Sequence, residues 1–96
     1  MNHDEFERHV LMARGPDDEF REYAFTGRLL ACTNDSDEVS VFVAATGRFV
    51  VYNDRAQLLG CYASLDDLAA DGCPATLLYD ARVAIGEPRL IEVDEL

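Results

Sequence analysis

The sequence contains no lysine and no tryptophan, and its eight basic residues, all arginine, face nineteen acids for a net charge of −11. The shortage of cations argues against direct nucleic-acid binding, because affinity for DNA or RNA rests largely on neutralising phosphates and no basic cluster is present. Glycine and proline are also scarce, at six and three, while hydrophobic residues make up 49% of the 96. Low complexity and disorder are thereby excluded, and one folded domain spanning 1–96 is expected. Long apolar runs are missing too. Leu58-Leu59-Gly60-Cys61-Tyr62-Ala63 falls far short of the roughly 20 residues of a membrane helix. The first residues, Met1-Asn2-His3-Asp4-Glu5, are acidic where a signal peptide is basic, so a cytoplasmic, non-membrane protein is expected. Three cysteines, at 32, 61 and 73, form no C-x-x-C pair. An odd count without a framework reads as buried thiols in a reducing compartment.

What is present is patterned. Phe6, Val10 and Ala13 recur at helical spacing and predict a short amphipathic helix over 4–13, within an N-terminal helix and loop covering 1–20. Gly15-Pro16-Asp17-Asp18-Glu19 breaks that pattern. Residues 22–63 then read as a β-meander with strands Tyr23–Cys32, Val39–Ala44, Arg48–Tyr52 and Leu58–Ala63, rich in valine, phenylalanine and tyrosine. The intervening segments, Asn34–Asp37, Ala45–Gly47 and Asn53–Arg55, are short enough for antiparallel hairpins, and Gly27 inside the first strand suggests a bulge. Ser64 can cap a helical segment over 64–86, which Pro74 reopens and Gly86 ends. Residues 89–96 alternate Ile91 and Val93 with acids, the pattern of a terminal edge strand. The expected fold class is therefore α+β: an antiparallel sheet of four to five strands, the 64–86 segment packed on one face, and a short N-terminal helix.

The runs Gly27-Arg28-Leu29-Leu30-Ala31, Thr46-Gly47-Arg48-Phe49-Val50-Val51-Tyr52 and Ser64-Leu65-Asp66-Asp67-Leu68, followed by an acidic end, resemble the carboxy-terminal region of the EXLDI family. That family groups small prokaryotic proteins without an established function, and the resemblance spans about residues 22–96. Where the family's name describes Glu-x-Leu-Asp-Ile, this chain reads Glu92-Val93-Asp94-Glu95-Leu96. Longer members carry an amino-terminal segment like a ribbon-helix-helix DNA binder, which residues 1–20 do not match, so DNA binding is not carried over.

No catalytic constellation stands out. The histidines are His3 and His9, both in the terminal segment, and the cysteines lack the cationic surroundings that lower a thiol's pKa. His3 and Glu7 share a helical face, but His9 points elsewhere, so no metal site and no cofactor are expected. Asn34-Asp35-Ser36-Asp37-Glu38 lacks the closing glycine and glutamate of a calcium loop. A non-catalytic protein-interaction module is the leading expectation, in preference to an enzyme. Along the strands both alternating sets are apolar: Val39, Val41 and Val43 against Phe42 and Ala44, and Phe49 and Val51 against Val50 and Tyr52. The 64–86 segment can cover one face only, which predicts a homodimer through the other, with Phe42, Val50, Tyr52 and Tyr62 at the interface. The alternatives are an acidic nucleic-acid mimic that binds a basic protein partner, and a small ligand-binding domain with a pocket between helix and sheet.

The charge is uneven: residues 23–63 carry four acids and three arginines, whereas residues 64–96 carry eight acids and two. Self-repulsion on so small a body should be relieved by mobile cations. The melting temperature is expected to rise from low to high potassium chloride; a flat or falling curve would mean that specific pairs already compensate the acids.

Overall fold

The computed structural model describes residues 6–33 and 38–86. Five strands are followed by two helices: β1 (Glu7–Arg14), β2 (Phe20–Cys32), β3 (Val39–Ala44), β4 (Phe49–Asn53), β5 (Leu58–Tyr62), α1 (Leu65–Ala70) and α2 (Ala75–Ala84). Each strand pairs antiparallel with the next, and β1 meets β5 in parallel at Arg14 and Leu58, which closes the sheet into a barrel. The four runs read as strands within 22–63 are strands. The expected N-terminal helix is not a helix: it is β1, and the open α+β meander is corrected to a mainly β closed barrel with two short helices.

The reason lies in which periodicity finds a partner. Residues 7–14 hold good helix formers, and Phe6, Val10 and Ala13 fit a helical stripe. They also fit alternation, with His9, Leu11 and Ala13 on one face and Val10 and Met12 on the other. The register sets His9 beside Phe25, Leu11 beside Tyr23 and Ala13 beside Arg21, on the sheet face that also carries Phe42, Ala44, Val50, Tyr52 and Leu59. Phe42, Ala44 and Val50 form a buried cluster with Phe25, Tyr52 and Leu59 packed against it, and Ala13 is fully buried. A helix laid over this concave face could not also satisfy the edge of β2, whereas a fifth strand does both. Tertiary pairing therefore overrides local propensity.

The opposite, convex face is covered by the helices. Val41, Leu30 and Ala31 are buried with Leu65, Leu68, Leu77 and Ala81, and Val43, Phe49, Val51 and Tyr62 pack against them. A register shift between Leu29 and Ala31 brings both Leu30 and Ala31 into this core, as a bulge that opposes two residues to one allows. The bulge expected at Gly27 is thus corrected to Leu30, because pairing runs unbroken through Gly27 and Ala44. Gly27 answers a different need. A Cβ there would lie 2.8 Å from the Val43 carbonyl oxygen and 3.0 Å from the Phe25 ring, so a side chain would push the barrel wall apart.

The helices begin as their sequences dictate. Ser64 Oγ accepts a hydrogen bond from the Asp67 N–H at 3.1 Å and caps α1, and Pro74 stands at the N-cap of α2. Arg82 of α2 reaches Asp66 of α1 at 2.6 Å, tying the two together. The expected edge strand within 89–96 and the Asn34–Asp37 turn lie outside the described residues.

Candidate functional site

Closure of the barrel redistributes the residues expected at an interface. Phe42 and Val50 are buried inside the barrel, Tyr52 is half-buried on the same inner face, and Tyr62 projects to the helix side. The Tyr52 hydroxyl lies 3.4 Å from both the Met12 carbonyl and Asp54 Oδ1, so it can bridge β4 to β1. The four side chains therefore occupy two surfaces rather than one, and three of them hold the barrel's own interior together. Cys32 and Cys61 are exposed and Cys73 is half-buried, which corrects the reading of all three as buried thiols. Burial pushes the Cys73 thiol above its ordinary pKa, the direction that lowers reactivity.

His9 is engaged structurally. Its Nε2 lies 3.1 Å from the Gly27 carbonyl oxygen, and its ring stacks on Phe25 at 5.1 Å and tilts against Phe42 at 4.8 Å between centroids. Phe25 and Phe42 meet edge to face at 5.2 Å. Among the described residues no group of three or more histidines, cysteines and carboxylates is placed to hold a metal ion. No described helix is long and apolar enough to cross a membrane.

Two surface features sequence reasoning missed remain. The first is the outer face of the β1–β2 ribbon. The register puts Val10 opposite Ala24, Met12 opposite Glu22 and Arg14 opposite Phe20, with Leu58 joined at the corner. Val10, Met12, Phe20 and Leu58 are 58%, 42%, 47% and 47% exposed, and together they form an apolar row that no other described residue covers. Only the correct assignment of β1 as a strand reveals it, because a helix over 4–13 scatters Val10 and Met12.

The second is the seam between β1 and β5. Among the described residues the two strands pair at Arg14 and Leu58 alone, so from Leu59 to Tyr62 β5 is paired on one side only, with β4. Alongside runs a groove of about 460 Å³, walled by Gly15, Pro16 and Asp18 opposite β5. A second hollow of about 250 Å³, lined by Tyr23, Phe25, Val50, Leu59 and Cys61, lies on the barrel's inner side of the same edge. The wall is braced. Gly15 N–H donates to the Glu19 carbonyl at 3.1 Å, Asp18 N–H to the Gly15 carbonyl at 2.9 Å, and both Glu19 N–H and the Tyr23 hydroxyl to Asp17 Oδ1 at 3.1 Å. Arg21 pairs with Asp17 at 3.0 Å and Arg14 with Asp18 at 3.6 Å. The Glu19 N–H, helped by Tyr23 and Arg21, holds the Asp17 carboxyl below its usual pKa. A Cβ on Gly15 would collide with the Tyr23 hydroxyl at 1.9 Å, so glycine is what lets the tyrosine lock this turn.

At the far end of the groove the Tyr62 hydroxyl donates to the Asp71 carboxylate at the end of α1. This bond, with burial and the nearby negative charge, raises the Tyr62 pKa from 10.0 to about 12. The folded value lies above the unfolded one, so the contact's contribution is fully present below pH 10 and is lost as pH rises through about 12. Replacing Tyr62 with Phe should cost about 1 kcal/mol at neutral pH and remove from the absorbance titration the phenol that ionises last, near pH 12. If the phenol lost in the variant is one that titrates near 10 with the other tyrosines, the bond does not form.

Comparison of the chain with protein-family models, with curated proteins and with solved structures gives no match.

Proposed function

We propose that the protein is a non-catalytic protein-interaction module that works as a homodimer through the outer face of the β1–β2 ribbon. One observation carries the reading: the row of Val10, Met12, Phe20 and Leu58, which no other described residue covers, on adjacent, rigidly paired strands. Single exposed apolar residues are common, but several grouped on adjacent strands mark an interface. The charge of this face selects the partner. By register the outward charges are Arg8 and Arg14 against Glu22, on a chain whose net charge is −11. With Asp18 paired to Arg14, the charges beside the row balance, so two copies that would repel across their acidic surfaces can meet here. A two-fold pairing makes the same patch serve both sides.

The non-catalytic part of the reading rests on how the reactive groups are used. His9 is committed to the Gly27 carbonyl and two aromatic rings, and Ser64 to capping α1. The likeness of residues 22–96 to the EXLDI family brings no activity with it.

Light scattering coupled to gel filtration, at about 50 µM as suits micromolar dimers, should give twice the 10.7 kDa chain mass. Val10→Glu combined with Met12→Glu should give the single-chain mass with an unchanged far-ultraviolet circular dichroism spectrum, since both side chains already face water. A wild-type protein that remains monomeric overturns the proposal.

A further inference from the structure

The barrel interior opens to solvent beside β5, and we infer that the hollow there is a binding site for a small, neutral, planar aromatic molecule. Leu59 and Cys61 stand opposite Tyr52 and Val50 in the register of β4 with β5, so both share the inner face with the buried cluster of Phe42, Ala44 and Val50. Val50 is 5% exposed, yet Cys61, directly opposite it, is exposed. An inward-facing residue that is exposed marks a mouth. None of Val10, Met12, Phe20 and Leu58 lines this hollow, so the site does not depend on the dimer.

The lining sets the class of ligand. Tyr23, Phe25, Val50, Leu59 and Cys61 surround about 250 Å³, and among the described residues no charged side chain lines it. The Tyr23 hydroxyl is already committed to the Asp17 carboxylate at 3.1 Å and to the Glu19 carbonyl at 3.4 Å. Ordered water needs about three hydrogen-bond partners, and an apolar cavity of about 150 Å³ takes benzene instead. The larger hollow here suits one ring or two fused rings, with the Phe25 ring as a packing partner. Charge then selects neutrality. A net of −11 disfavours an anion. A cation finds no free partner either, because Asp17, Asp18 and Glu19 of the adjoining turn are paired with Arg21 and Arg14.

The walls limit size. Pro16, which also lines the hollow, belongs to the Gly15–Glu19 turn that backbone hydrogen bonds and the bond from Tyr23 to Asp17 hold in place. A fixed turn beside the mouth obstructs a polypeptide, whereas a single ring system passes. On the other side His9 and Phe42 pack against Phe25 at 5.1 and 5.2 Å between centroids, so that wall stands ready before a ligand arrives, which lowers the ordering cost of binding.

Indole is the probe, since the chain contains no tryptophan and indole fluorescence can be excited apart from that of the tyrosines. Its emission is expected to shift to shorter wavelength as protein is added and to saturate, with half-saturation at about 1 mM or below, as a ligand of so few atoms allows. In magnetic resonance spectra of the wild type, ring-current shifts should appear at the Val50 and Leu59 methyl groups and not at those of Val10 and Met12. Cys61→Phe, which places a ring in the mouth from an exposed position, should weaken binding about tenfold or more with an unchanged circular dichroism spectrum. Indole-3-carboxylate, the same ring system with a negative charge, should bind about tenfold more weakly than indole or worse. The Val10→Glu, Met12→Glu double variant should bind indole as the wild type does, whatever its oligomeric state. Emission that never saturates, shifts confined to Val10 and Met12, or carboxylate that binds as well as indole each overturn the inference. Undiminished binding by a folded Cys61→Phe protein overturns it too, and if that variant does not fold, the methyl shifts of the wild type decide.

Discussion

The pairing of β1 with β2 is the contact on which the rest of the molecule depends. It places His9, Leu11 and Ala13 over a sheet face that already carries Phe25, Phe42, Val50 and Tyr52, converting an open apolar surface into an interior. Full burial of one large apolar side chain stabilises by about 1.5–3 kcal/mol, and a well-placed aromatic pair adds about 0.5–1.5 kcal/mol. Of His9, Phe25 and Phe42 only Phe42 is buried and the other two are half-buried, so the cluster contributes part of these amounts toward a net stability that is itself small for a chain of this size. Without β1 the sheet would expose one face entirely, because α1 and α2 lie on the other.

The two cores divide the strand residues cleanly, and the division explains why every central strand is apolar on both faces. Val41, Val43, Phe49 and Val51 meet the helices, while Phe42, Ala44, Val50 and Tyr52 meet β1 and one another. The bulge at Leu30 adjusts β2 so that its end packs under α2. Arg82, largely covered, is matched by Asp66, so the cation that α2 draws into the helix layer keeps its partner. The barrel closes narrowly: among the described residues β1 and β5 pair at Arg14 and Leu58 alone, and the braced Gly15–Glu19 turn follows directly after.

Much of this was legible in the sequence. Valine and aromatic alternation located β2 to β5 within a few residues of their ends, and Ser64, Pro74 and Gly86 marked the helices because capping and turn chemistry are local. The demand of both sheet faces for burial was also readable. How that demand is met was not. Residues 7–14 satisfy helical and strand periodicity alike, and the choice is made by partners distant in sequence, at Phe25 and Phe42. The candidate surfaces were hidden for the same reason, since Val10 and Met12 line up with Phe20 only when β1 is extended. The cysteines misled because small apolar character predicts burial on average, whereas Cys32 ends a strand and Cys61 lies on an edge strand.

The central claim is that residues 7–14 form a strand that seals the barrel. Nuclear magnetic resonance tests it most directly, through amide exchange and cross-strand contacts along this segment. The account predicts backbone contacts between Leu11 and Tyr23 and between His9 and Phe25, with amide protection of β1 comparable to that of its partner β2. Helical contacts between residues three apart in this segment, with rapid exchange and a solvent-accessible Phe42 ring, would contradict it.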